Sequence, residues 1–159
     1  MSQKLVVGIS DWKIGKGDDV LVTYALGSCV GICLYDKATG LAGLSHVLLP
    51  DSSSIIGGSE TRMKFADTAI PDLYNEMRHR GISGHLTAKI AGGAVMFAAA
   101  SSQFNIGERN VAAVKKALAA LRIPIVAEDT GLNYGRTLTF FAQDGSVEIN
   151  SMVKGKKNL

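Results

Sequence analysis

The chain has 159 residues, of which 47% are hydrophobic and 19% charged, and a formal net charge of +3. That length suits one domain with a substantial core, and the hydrophobic content excludes an intrinsically disordered chain. Basic residues are scattered apart from Lys154, Lys156 and Lys157, so no nucleic-acid-binding stripe is visible; no apolar run reaches bilayer length and the first residues lack the pattern of an export signal, so a soluble, unexported protein is expected.

In chain order, residues 5–9 read as a strand, and a polar loop over 15–19 leads into a second strand over 20–26, which Gly27 and Ser28 break. Residues 30–35 and 41–49, joined by a turn over 36–40 and ended by Pro50, predict a hairpin. The serine- and glycine-rich stretch 51–59 predicts a mobile loop within the domain. Over residues 61–80, Met63, Ala66, Ile70, Leu73 and Met77 keep helical spacing, Gly81 suits the left-handed residue after a helix, and Pro71 predicts a kink or break.

Leu86, Ala88 and Ile90 alternate as in a strand, Gly92 and Gly93 make a close turn, and the small residues around Met96 and Phe97 predict a short helix. Asn105 and Glu108 have capping-box spacing ahead of a stripe of Val111, Val114, Leu118 and Leu121, which predicts a second main helix ending before Pro124. Residues 125–129 read as a strand, and 136–142 pair with 146–153 across Asp144 and Gly145. Two main helices among about eight strands imply an α+β fold: a mixed β-sandwich or strongly bent sheet with the helices packed on it. Residues 1–153 are expected to form this single domain and residues 154–159 a frayed basic tail.

The only cysteines are Cys29 and Cys33. Four extended steps would separate their Cα atoms by roughly 13 Å, beyond disulfide reach, so two free thiols and a cytoplasmic location are expected. A redox reading would require the two sulfurs to meet. Cys29 follows a strand and a glycine that lets the backbone turn sharply, which is how nucleophiles are presented; equally, a free cysteine can be a small buried hydrophobe. Cys33, between Ile32 and Leu34, reads as core.

A nucleophilic thiol needs a base. His79 ends a helix and His85 begins a strand, both structural or exposed positions, whereas His46 shares a strand face with Leu44 and Leu48. Burial there would keep the imidazole neutral, and the hairpin would return it beside Cys29; it could also be a satisfied core histidine. Thr23 is a candidate third group to orient the ring, or simply a strand former. Gly92 and Gly93 lack a phosphate-loop context and read as close packing, and the tripeptide Asp129, Thr130, Gly131 reads as a turn. Residue chemistry alone reaches a thiol hydrolase and stops there.

Several ordered motifs extend the reading: Thr23-Tyr24-Ala25-Leu26-Gly27-Ser28-Cys29-Val30, His46-Val47-Leu48-Leu49-Pro50, Lys64-Phe65-Ala66-Asp67-Thr68-Ala69, Ala88-Lys89-Ile90-Ala91-Gly92-Gly93-Ala94-Val95-Met96-Phe97, Asn105-Ile106-Gly107-Glu108-Arg109-Asn110 and Ala127-Glu128-Asp129-Thr130-Gly131-Leu132-Asn133. Together they resemble the CheD family of chemoreceptor glutamine deamidases. The resemblance implies Cys29 as nucleophile, His46 as general base and Thr23 as third active-site member, with no metal or organic cofactor. It also implies an α+β sandwich similar to the catalytic domain of deamidating cytotoxic necrotizing factor toxins. The implied substrate is the cytoplasmic helical domain of a chemoreceptor, and the implied second partner a CheC-type phosphatase. An alternative expectation is a binding module that regulates such a phosphatase with little catalysis of its own.

Overall fold

The computed structural model describes residues 2–53, 59–95 and 105–159. In chain order its elements are β1 (Lys4–Val6), β2 (Asp11–Gly15), β3 (Val20–Leu26), β4 (Val30–Asp36), β5 (Leu41–Val47), a 3₁₀ helix (Ser59–Lys64), α1 (Ala66–His79), β6 (Leu86–Gly92), α2 (Ile106–Ala120), β7 (Ile125–Thr130), β8 (Arg136–Phe141), β9 (Val147–Ser151) and β10 (Gly155–Asn158). The strands form two five-stranded sheets, ordered β1-β3-β8-β9-β10 and β2-β5-β4-β6-β7. Both are mixed: β1 lies parallel to β3 and β6 parallel to β7, the other pairs being antiparallel.

Burial explains the layering. β4 is almost wholly buried, as expected for a central strand covered on both faces. Val30, Ile32 and Leu34 face α1 and α2 in one apolar cluster with Ile70, Leu73, Met77, Val114 and Leu118. The opposite face carries Cys29 and Cys33 into a second cluster with Leu21, Leu26, Leu138, Phe140 and Ile149 of the other sheet. β8 alternates buried and half-buried residues, the pattern of a strand with one covered face. The molecule is therefore helices, sheet, sheet, with the helices on one outer side, and the α+β sandwich expected from the sequence is the fold observed.

The sheets come close at Gly31, where an added Cβ would lie 3.1 Å from a methyl of Leu138 and 3.2 Å from one of Leu26. This glycine in mid-strand removes a side chain that would push the layers apart.

Three local expectations are corrected. The first helical region breaks at Phe65, not at Pro71. Phe65 is extended (φ −110°, ψ 140°) and bridges Leu49, Ala66 N–H donates to the Leu49 carbonyl, and α1 then runs on through Pro71. A proline six residues into a helix removes one hydrogen bond, whereas the Phe65 bridge is a tertiary contact that periodicity does not register. Second, the loop expected over 15–19 begins one residue late: Gly15 ends β2, a strand that residues 11–14 did not announce, whose five residues pair with β5 from Asp11↔His46 to Gly15↔Ala42. Third, residues 155–158 are not a frayed tail. They pair with β9, and Leu159 N–H donates to the Val147 carbonyl. All four β10 residues are exposed, so the strand has no apolar alternation to reveal it and is held by backbone bonds. The mobile loop expected over 51–59 and the short helix near Met96 fall largely outside the described residues.

Candidate active site

Cys29 lies where the chain passes from one sheet to the other. β3 belongs to the first sheet and β4 to the second, and only residues 27–29 separate them. The turn begins inside β3, whose pairing with β8 shifts register between Thr23 and Leu26. Ala25 in this bulge has φ +58°, a conformation rarely adopted by non-glycine residues. The bulge re-aims the strand, so Thr23 stays in the interlayer while Cys29, 6% exposed, arrives at the rim of the facing sheet.

His46 is completely buried on β5, and Gly31 of β4 is its direct cross-strand partner. Directly opposed residues share a face, and Gly31 points at Leu138 and Leu26 of the other sheet, so the imidazole also enters the interlayer. Cys29 is two residues before Gly31. That places it diagonally from His46, the relationship in which Cα atoms lie roughly 7–8 Å apart and long side chains can meet.

Across the interlayer, Thr23 Oγ1 is 2.6 Å from His46 Nδ1 and 2.6 Å from the carbonyl oxygen of Val7. A hydroxyl has one proton. Donating it to the Val7 carbonyl, which cannot itself donate, leaves Thr23 Oγ1 to accept from Nδ1–H. The ring is thereby held as the Nδ1–H tautomer with a lone pair on Nε2. Nε2 is buried with no hydrogen-bond partner among the described residues, so it is unengaged by the Cys29 thiol in this resting geometry.

Burial pushes the His46 pKa down to about 4 and pushes the Cys29 thiol up, its own backbone N–H opposing the latter to a lesser extent. Both shifts favour uncharged forms. Near neutral pH the thiol and the imidazole are therefore both uncharged.

The loop over residues 27–29 is tied down through three consecutive carbonyls. Gly27 O accepts from Ala94 N–H (2.9 Å), Ser28 O from Asn110 Nδ2 (2.9 Å) and Cys29 O from Gly93 N–H (2.8 Å). Gly27 N–H is occupied by the Ala25 carbonyl, whereas those of Ser28 and Cys29 have no acceptor among the described backbone groups. Gly92 (φ +110°) and Gly93 (φ +67°) allow the close approach; a Cβ on Gly92 would overlap Cys29 O. Asn110 is a residue that sequence reasoning missed as a site member. It is fully buried, and Nδ2 also donates to Leu48 O, two residues beyond His46. Its signal was present: Asn110, Val114 and Leu118 occupy one helical stripe, so an amide stands where an apolar side chain is expected.

The remaining candidates sort themselves. Both cysteines are free, and Cys33 is buried in the interlayer with its thiol pushed far above the ordinary range. His79 and His85 are exposed. Asp129 accepts from Arg136 Nε at 3.0 Å and Lys157 Nζ at 3.2 Å, a structural ion cluster. No group of three or more histidine, cysteine, aspartate or glutamate side chains that would hold a metal occurs among the described residues.

Comparison with known proteins agrees with the motifs. The family model described as "CheD chemotactic sensory transduction" matches residues 48–151. The chain is 48% identical over 159 residues to a "Probable chemoreceptor glutamine deamidase CheD" of Caldanaerobacter subterraneus subsp. tengcongensis, covering 98% of each chain. It is 49% identical over 154 residues to a protein of the same description from Moorella thermoacetica, covering 94% of this chain and 92% of the relative. A third, from Lachnoclostridium phytofermentans, is 46% identical over 162 residues and covers all of both chains.

Proposed function

The chain belongs to the CheD family, and we propose that it performs chemoreceptor glutamine deamidation with Cys29 as nucleophile, His46 as general base and Thr23 as the group that orients His46. The reaction class is that of a protein-glutamine glutaminase: a receptor glutamine becomes glutamate and ammonia is released. The observation that carries the residue assignment is the Val7–Thr23–His46 relay, which leaves the Nε2 lone pair free on the face shared with Cys29.

In this mechanism Nε2 accepts the thiol proton as Cys29 Sγ attacks the glutamine side-chain carbonyl carbon. The tetrahedral intermediate collapses as the C–N bond breaks, and protonated His46 delivers its proton to the departing nitrogen, giving ammonia and a thioester. Water, deprotonated by the same Nε2, attacks the thioester; the C–S bond breaks, glutamate forms, and the thiol is restored. Nδ1–H remains on Thr23 throughout, stabilising the transient imidazolium without accepting its charge.

The product exchanges an amide for a carboxylate, so each turnover adds one negative charge to a receptor helix. Further proposals follow from family membership: a cytoplasmic location and a CheC-type phosphatase as second partner, the latter tested by copurification with a phosphatase of that type. No helix among the described residues is long and apolar enough to cross a membrane.

The deciding experiment incubates receptor fragments with wild-type and Cys29→Ala proteins and measures amide-to-acid conversion by peptide mass spectrometry. Conversion by wild type alone is expected; equal conversion by the two would remove Cys29 from the reaction.

A further inference from the structure

In a planar trans peptide unit the C=O and N–H point to opposite sides. Ser28 O and Cys29 N–H share one such unit, and Gly27 O and Ser28 N–H share the preceding one. Ala94 N–H and Asn110 Nδ2 pull the two carbonyls towards α2 and the Gly93 turn, at 2.9 Å each. The two N–H groups are therefore turned away from the clamp. Neither has an acceptor among the described backbone groups, and both flank the nucleophile.

Among the described residues, Asn110 is the only side chain that holds this loop. Its two amide hydrogens go to Ser28 O and Leu48 O, at 2.9 and 3.0 Å, so one group fixes the nucleophile loop relative to the end of the strand carrying His46. The opposite arrangement of the amide would set oxygen against two carbonyls, which leaves a single consistent assignment. That assignment leaves Oδ1 buried with no partner among the described residues. An apolar residue of similar size would fill the helix stripe without an orphaned acceptor, so packing does not account for the amide.

We propose that Asn110 is a positioning residue for catalysis: by holding Ser28 O it aims the backbone N–H groups of Ser28 and Cys29 as the donors that stabilise the tetrahedral oxyanion. The proposal rests on Cys29 being the nucleophile. Loss of a single such donor lowers kcat about 100-fold to 1,000-fold; loosening the donors without deleting them has a smaller effect.

The test compares wild type with Asn110→Leu and Asn110→Asp in two reactions of the same thiol. Deamidation of a receptor fragment builds an oxyanion, whereas alkylation of Cys29 by iodoacetamide is displacement at a saturated carbon and does not. The expected result is a kcat for deamidation lower by about 10-fold to 100-fold, with KM and the alkylation rate each within about twofold of wild type. Unchanged kcat, or alkylation falling in parallel with deamidation, would overturn the proposal.

A measurement on the unaltered protein covers the case in which neither variant folds. A peptide whose glutamine side chain is replaced by an aldehyde takes up Cys29 sulfur at its carbonyl carbon, the thiol proton passing to His46 and the oxygen becoming the oxyanion. The amide protons of Ser28 and Cys29 should then shift downfield in the NMR spectrum. An adduct that leaves both resonances in place refutes the donor assignment, whereas a wild-type protein that neither forms the adduct nor deamidates refutes the nucleophile itself.

Discussion

Desolvation sets the protonation state of His46, and its consequences are measurable in both stability and rate. The folded pKa lies near 4 against an ordinary 6.5, so between those values the unfolded chain holds a proton that the folded chain does not. Stability contributed by neutral His46 is therefore complete above about pH 6.5 and is lost as pH falls towards 4, by up to about 3 kcal/mol. Urea unfolding across this range should show that slope in wild type and lose it in His46→Gln. For the same reason the acid limb of kcat/KM is expected near pH 4; a limb at 6.5 would mean a solvated imidazole. Thr23→Val keeps shape but leaves Nδ1–H buried and unpaired. It should destabilise the fold by about 1–3 kcal/mol and lower kcat at least tenfold, by releasing the tautomer as well as the orientation.

The active-site elements depend on backbone that only particular residues can adopt. Gly92 closes β6 at φ +110°, directly against Cys29 O. Gly92→Ala combines an unfavourable dihedral with overlap against a backbone atom that cannot move aside, so a loss of about 3 kcal/mol or more is expected together with loss of activity. Gly17 offers a matched control: its φ is +61°, but an added Cβ meets nothing within 4 Å. Gly17→Ala should change thermal stability by no more than about 1 kcal/mol and leave deamidation intact. Equal effects at the two sites would show that dihedral strain alone is at work and that the approach to Cys29 is immaterial. The motif containing Gly92 and Gly93 was visible in the sequence as a tight turn; that it braces the Cys29 carbonyl became visible only with the chain folded.

At the scale of the molecule, the two sheets are joined by charge as well as by apolar packing. Asp129 on β7 of one sheet receives Arg136 of β8 and Lys157 of β10 in the other, and the Arg136 side chain is completely buried. Asp129→Ala would leave the guanidinium buried without its carboxylate and should reduce stability by about 3–5 kcal/mol. Lys157 is half exposed, and Lys157→Ala should cost about 1 kcal/mol or less. Chemical denaturation of the two variants checks the ordering, and a larger loss at Lys157 would contradict it. Removing residues 154–159 takes away β10 and uncovers the edge of β9, so it should lower the melting temperature and promote association through that edge.

The central strands, the hairpin bearing His46, the second helix with its Asn105 cap and the break before Cys29 were legible because alternation, helical spacing, capping and glycine turns are local signals. Thr23, Cys29 and His46 could likewise be singled out by residue type and motif. The contact of Thr23 with His46 was not legible in any pattern, because the two lie on different sheets and touch only when those sheets stack. Nor was the break at Phe65 or the grip of Asn110 on two distant carbonyls, each of which is a bond to a partner remote in sequence, nor the strand at 155–158, whose exposed residues carry no apolar alternation. Sequence alone determined which residues could do chemistry and which face of each strand they occupy. Tertiary structure alone decided the direction of the His46 proton and of the Ser28 and Cys29 N–H groups, since hydrogen-bond direction is set by the partner across the interface.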